Sequence, residues 1–202
     1  YMAILCGMLF VANIRMRLVS IIVGVLVVLA PLGWFVLKEY QKQRILVFLN
    51  PNIDPFGAGY HIIQSKIAIG SGLILGKGLF NGTQSQLNFL PENHTDFIFS
   101  VIGEELGFVG CVFVLILLFI LIYRSIVIAR TAGDTYGMLL ATGIGSMIGF
   151  QVLINVGMTT GIMPVTGIPL PFISYGVSAL TTNMISIGLL LNIALHRKKL
   201  MF

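Results

Sequence analysis

The sequence predicts an all-α integral membrane protein, a polytopic helix bundle with one large extracytoplasmic loop that contains short helices. Three observations carry that prediction. Charged residues make up 9% of the chain and hydrophobic ones 57%, with a mean hydropathy of +1.00. So little charge cannot cover the surface of a soluble domain. Leu18–Leu37 and Leu106–Tyr123 carry no charge, and each is close to the roughly 20 residues that cross a hydrocarbon core. Thr135–His196 holds no Asp, Glu, Lys or Arg, which leaves room for two more spans.

Taken in order, Met2–Ile14 is apolar but too short to cross alone, so residues 1–14 read as a partial span,. The chain opens on Tyr1 inside that piece, with no basic flank or small-residue cleavage site,. The expectation is a C-terminal fragment whose N-terminal part is missing. A full span follows over about 18–37. The outer segment 38–105 is 68 residues long, and segments of that length are functional or disordered. Its apolar content argues against disorder. "YHIIQSKIAIGSGLILGKGLF" (Tyr60–Phe80) is too polar and too rich in glycine to span, and predicts short amphipathic helices forming a lid over an outward-facing cavity. Three spans complete a single membrane domain, over about 106–129, 137–158 and 172–195, with "GIMPVTGIPLP" (Gly161–Pro171) breaking the last two apart. Cys6 and Cys111 lie in apolar spans without a pairing or metal-ligand pattern, so core packing is expected of both.

A net charge of +5 raises nucleic acid as a partner, but its placement excludes that class. Arg15 and Arg17 follow the first apolar piece, Arg124 and Arg130 follow the third, and Arg197, Lys198 and Lys199 lie near the end. Short basic segments alternating with spans mark cytoplasmic loops. They place 38–105 outside and the C-terminus in the cytoplasm.

Several motifs fail on inspection. "GSGLILGKG" (Gly70–Gly78) has Ser71 and Gly78 where a phosphate loop needs Gly and Ser or Thr, and Leu75 spoils a dinucleotide pattern,. His61, His94 and His196 lie far apart with no helix-spaced ligand partner, so no metal site is assigned,. One cluster survives. "FLPENHTDFIFSVIGEELG" (Phe89–Gly107) gathers Glu92, Asp96, Glu104 and Glu105, four of the seven carboxylates. If a helix starts near Thr95, Asp96 and Glu104 stand about 12 Å apart along it, too far to flank one bond, and Asp96 acts alone. The residues leave two readings open: a functional acid, or a carboxylate meeting the helix dipole beside a Thr95 cap. For Glu104 and Glu105 a structural or interfacial pairing is expected over catalysis.

"GAGYHIIQSKIAIGSG" (57–72), "GTQSQLNFLPENHTDFIFSVIGEELG" (82–107) and "PVTGIPLPFISYG" (164–176) resemble, in order and spacing, the SEDS family of RodA, FtsW and SpoVE, its elongation branch most nearly. The resemblance covers the whole chain and implies the last half of a ten-helix fold. It implies a peptidoglycan glycosyltransferase in the bacterial plasma membrane, polymerising lipid II into β-1,4 glycan strands with inversion. It carries the catalytic aspartate onto Asp96. One position departs from the family: Val177 follows Gly176 where a second glycine is usual, which is expected to shift the start of the last helix.

The chemistry implied suits a lone carboxylate. A base takes the proton of the acceptor hydroxyl, while diphosphate leaves without a general acid and needs positive charge. Lys66, Lys77 or a divalent cation can supply that charge. Both lysines also suit interfacial snorkelling. Gln64, Gln84, Gln86, His94, Glu105 and Ser174 are the further candidates for substrate contact. Ser174 equally suits hydrogen bonding between helices. The implied partners are lipid II, the nascent glycan strand, membrane lipids and a class B penicillin-binding protein transpeptidase. Two other classes compete: a lipid II flippase, which needs polar groups through the bilayer depth, and a scaffold for the transpeptidase, which has no use for Asp96. The enzyme is favoured because the acids and amides collect on one face. Residues 1–202 alone are expected to be inactive, since their helices pack partly on the missing half.

Overall fold

The computed structural model describes residues 1–12, 24, 38–50, 53–54, 57–87, 89–90 and 94–196. The described helices are α1 (Met2–Val11), α2 (Glu39–Leu49), α3 (Ala58–Ser71), α4 (Thr83–Gln86), α5 (Ile98–Thr131), α6 (Thr135–Thr159) and α7 (Val177–Leu195). Helices α5, α6 and α7 are long and apolar enough to cross a membrane,. α1 occupies the expected partial span. The span expected over 18–37 lies outside the described residues apart from Gly24. The outer segment contains the short helices α2, α3 and α4.

Two boundaries differ from the sequence reading. The last helix begins at Val177, not near 172. Helix α5 begins at Ile98, not near Thr95, so Asp96 precedes it and Thr95 is not its cap. In both places the backbone groups that would extend the helix are bonded to another segment.

α5 is also broken internally at Gly107, whose φ of 67° and ψ of −163° are not helical. The break is filled by the loop after α3. Phe108 and Val109 donate their N–H groups to Leu73 O (2.9 Å) and Ile74 O (3.2 Å), while Lys77 and Gly78 donate to Glu104 O and Glu105 O, both at 3.0 Å. Backbone polar groups freed by a helix break must find partners where water is scarce, and these four bonds supply them. The approach is so close that a side chain at Gly76 would strike Glu105 O, and one at Gly107 would strike the Gly76 nitrogen.

The chain divides into two compact units. In the first (residues 1–42, 120–150 and 184–202), small residues on α6 meet their neighbours closely. Gly143 faces Met8 Sδ of α1, a side chain at Gly7 would strike Ser146 Oγ, and Gly145 faces Ser125 of α5. Apolar helices gain little from leaving lipid, so such fit is what holds them together. Ala141 and Ile148 are fully buried there.

The second unit (residues 43–119 and 151–183) has a core of Phe99, Cys111, Leu118 and Leu170, packed by Ile69, Val152, Val156 and Ile173. Buried hydroxyls tie its helices. Ser65 of α3 donates to Thr159 O of α6 at 2.6 Å, and its Oγ lies 2.6 Å from that of Ser100 on α5. Cys111 meets the core-packing expectation. Cys6 does not: it is exposed on α1, because an apolar side chain on a membrane helix has lipid as an alternative to the core. The exposed Phe113, Ile116, Leu117 and Phe119 of α5 follow the same rule,.

Candidate active site

His94–Phe97 forms a turn leading into α5. Its first three carbonyls, from His94 to Asp96, are taken by other segments. Tyr175 N–H donates to His94 O at 2.8 Å. Ser174 Oγ donates to Thr95 O at 2.7 Å, and Asn155 Nδ2 donates to Asp96 O at 2.9 Å. Ser100 N–H consequently bonds Phe97 O, at 2.9 Å, as the helix begins. The same bonds hold residues 174–175 out of α7, which accounts for its late start.

The other end of this clamp is the 161–176 loop. Asn155 Nδ2 also donates to Ile168 O (2.8 Å), and Ser174 Oγ accepts from Leu170 N–H (2.7 Å). Gly167 sits opposite the Asp96 carboxylate with φ of 71°, and a Cβ there would lie 3.2 Å from Asp96 Oδ2. Glycine suits both the left-handed backbone and the close approach of the loop to the carboxylate,. Below the turn, Phe97 is buried with the His61 ring stacked on it, centroids 6.0 Å apart. Asp96 is half-buried. An open groove of about 550 Å³ adjoins the turn, lined by His94, Ile98, Phe172, Ser174, Tyr175 and Leu180 among others.

The remaining candidates separate into two groups. Lys66, on α3, is exposed, with its stem lying over Gly161 and no carboxylate paired to it among the described residues. Gln64 is half-buried on the same helix. No motif singles out Arg44, yet its guanidinium donates to Val165 O at 3.3 Å, so a second cation touches this loop.

The other group surrounds Glu104, which is fully buried. Lys77 Nζ lies 2.9 Å from Glu104 Oε1, where Gln84 N–H also donates at 2.9 Å, and Ser85 N–H donates to Oε2 at 3.1 Å. Lys77 is therefore engaged by a carboxylate and is not a lone cation. Gln84 contributes its backbone to Glu104, while its side-chain Oε1 is buried without a partner among the described residues. Gln86 is exposed on α4, and Glu105 is half-buried at the Gly107 break. Glu92 lies outside the described residues. Among the described residues no three His, Cys, Asp or Glu side chains converge to hold a metal ion.

Asn155 is the residue the sequence reading missed. Its signal was present: an amide in the middle of an apolar span, where polar side chains are costly and seldom without purpose.

This architecture defines a class, a polytopic helical membrane protein in which two non-helical segments meet at one carboxylate. A family model described as cell cycle protein, covering FtsW, RodA and SpoVE, matches residues 1–199, and the chain belongs to that family. It is 50% identical over 193 residues to the peptidoglycan glycosyltransferase MrdB of Escherichia coli K12, covering 95% of this chain and 52% of the relative. It is 52% identical over 162 residues to the peptidoglycan glycosyltransferase RodA of Treponema pallidum, covering 80% of this chain and 37% of the relative. A chain of a solved peptidoglycan synthase complex, described as coordinating polymerization and crosslinking, matches with a TM-score of 0.79 and 33% identity, covering 98% of this chain and 55% of that one. The chain thus spans about half the length of the relatives it matches.

Glu104→Gln is expected to loosen the 77–86 segment, because it replaces charge-assisted bonds worth about 1.5–3 kcal/mol with neutral ones. Hydrogen exchange at the Gln84 and Ser85 amides should accelerate by about tenfold or more. Unchanged protection there would show that other contacts hold the segment.

Proposed function

We propose that this chain supplies the catalytic carboxylate and acceptor-side groove of a peptidoglycan glycosyltransferase that polymerises lipid II. The observation that carries the reading is the clamp on residues 94–96, which fixes the backbone that bears a single carboxylate, Asp96, in a turn that adjoins an open groove through His94 and Ile98. The names of the relatives support the reaction class.

Lipid II carries its sugar on diphosphate through an α linkage, and the glycan is β-linked, so the reaction inverts. The acceptor hydroxyl attacks the anomeric carbon and its proton passes to Asp96 as general base. The carbon–oxygen bond to diphosphate breaks, and the departing charge is met by cations. Lys66 and Arg44, both in contact with the 161–165 stretch, suit that task better than Lys77, which Glu104 already neutralises,. The pairing of glycan polymerisation with a transpeptidase partner of the class B penicillin-binding type follows by analogy with the solved synthase complex.

The short basic segments support an outer placement for 38–105 and a cytoplasmic one for 124–136 and the C-terminus,. In intact cells an impermeant thiol reagent should label a cysteine placed at Asn81 and spare one placed at Lys198. The opposite pattern reverses the topology.

Asp96→Asn keeps the shape and removes the base. In a full-length family protein carrying residues 1–202, it should lower glycan synthesis per folded molecule by at least about 10²-fold. A carboxylate that only meets the helix dipole is worth about 0.3–1 kcal/mol, and its loss would reduce yield and spare turnover. Near-normal turnover in folded Asp96→Asn removes the catalytic assignment.

A further inference from the structure

We propose that Asn155 and Ser174 are positioning residues for the Asp96 carboxylate, acting through the backbone of the turn that carries it; the proposal rests on the glycosyltransferase reading above. Asn155 is fully buried within α6. Its two amide hydrogens go to Asp96 O (2.9 Å) and Ile168 O (2.8 Å). Both neighbours are carbonyl oxygens, so only the nitrogen end of the amide fits between them. Its Oδ1 is left buried without a hydrogen-bond partner among the described residues. An unmet polar atom inside a span is costly, and a leucine of similar volume would fill the space without that cost. The amide does what no apolar residue can. It fixes the residue that bears the carboxylate and, through Ile168, the neighbour of Gly167, which approaches that carboxylate closely.

Ser174 completes the same device. It lines the groove, which makes it look like a sugar contact. Its only proton, however, is given to Thr95 O at 2.7 Å, and its oxygen accepts from Leu170 N–H at 2.7 Å. A hydroxyl with its donor committed holds backbone to backbone. With Tyr175 N–H on His94 O, the carbonyls of three consecutive residues are fixed and Asp96 keeps one direction. The chemistry needs such restraint, because a base must meet its hydroxyl within a few tenths of an ångström of the productive geometry.

The test is steady-state polymerisation of lipid II by a full-length family protein carrying residues 1–202, with folded protein counted by monodisperse gel-filtration yield. Asn155→Ala should lower kcat by about tenfold to a hundredfold, the cost of displacing a reacting group by an ångström, with KM within about twofold. Ser174→Ala should lower kcat without raising KM, and Ser174→Thr, which restores the hydroxyl, should recover most of the loss. Wild-type kcat in folded Asn155→Ala overturns the proposal. So does a raised KM with unchanged kcat in Ser174→Ala, the signature of lost substrate binding. If Asn155→Ala yields no folded protein, the Ser174 pair decides. Asp96→Asn in the same series separates the two readings. If it turns over normally the general-base assignment fails. If it is inactive while Asn155→Ala and Ser174→Ala are not, the positioning assignment alone fails.

Discussion

Much of this structure depends on one requirement, that every backbone group in or beside a bilayer finds a hydrogen-bond partner. Regular helix meets it locally, but a helix cannot place a carboxylate in an open space. The chain therefore leaves helical geometry at 94–97 and 161–176, and the two irregular segments satisfy each other. The 73–78 loop and the Gly107 break are a second such pair, each supplying the groups the other lacks. In neither case is a polar segment exposed to lipid without reason, and in each the glycines lie where backbone meets backbone or a carboxylate.

The division of labour among the acids follows. Glu104 is buried and surrounded by an ammonium and two backbone N–H groups, so its charge is spent on holding α4 and its flanks. Asp96, two residues ahead of α5, is half-buried and faces a glycine. The two carboxylates thus sit in different settings, the Glu104 side chain fully enclosed and Asp96 half-buried in a turn. The proposed inverting transfer needs only one base, and the cations at Lys66 and Arg44 lie against the same loop that Asp96 faces.

The long spans were legible because length and apolarity alone define them. The central break near 161–171 and the helical content of the outer segment were legible from Gly, Pro and mixed polarity. The ends of helices were not. Thr95 and Phe172 look like acceptable helix starts in sequence, and what displaces the boundaries to 98 and 177 is hydrogen bonding between residues 59 or more apart. Lys77 likewise reads as an available cation until the fold brings Glu104 to it across 27 residues. Asp96 and Ser174 were named from the resemblance of their motifs, but only the fold shows that Ser174, although it lines the groove, has its proton already committed. Asn155 carried a signal, an amide among apolar residues, without any sequence neighbour to say what it binds.

The most direct measurement is a structure of a full-length family protein carrying residues 1–202 with a lipid-linked acceptor sugar bound. The account predicts the acceptor hydroxyl within about 3 Å of an Asp96 carboxylate oxygen, with Asn155 and Ser174 still bonded to the 94–96 carbonyls and not to the sugar. An acceptor hydroxyl seated against another carboxylate, or a turn that has released Asn155 on binding, would contradict it.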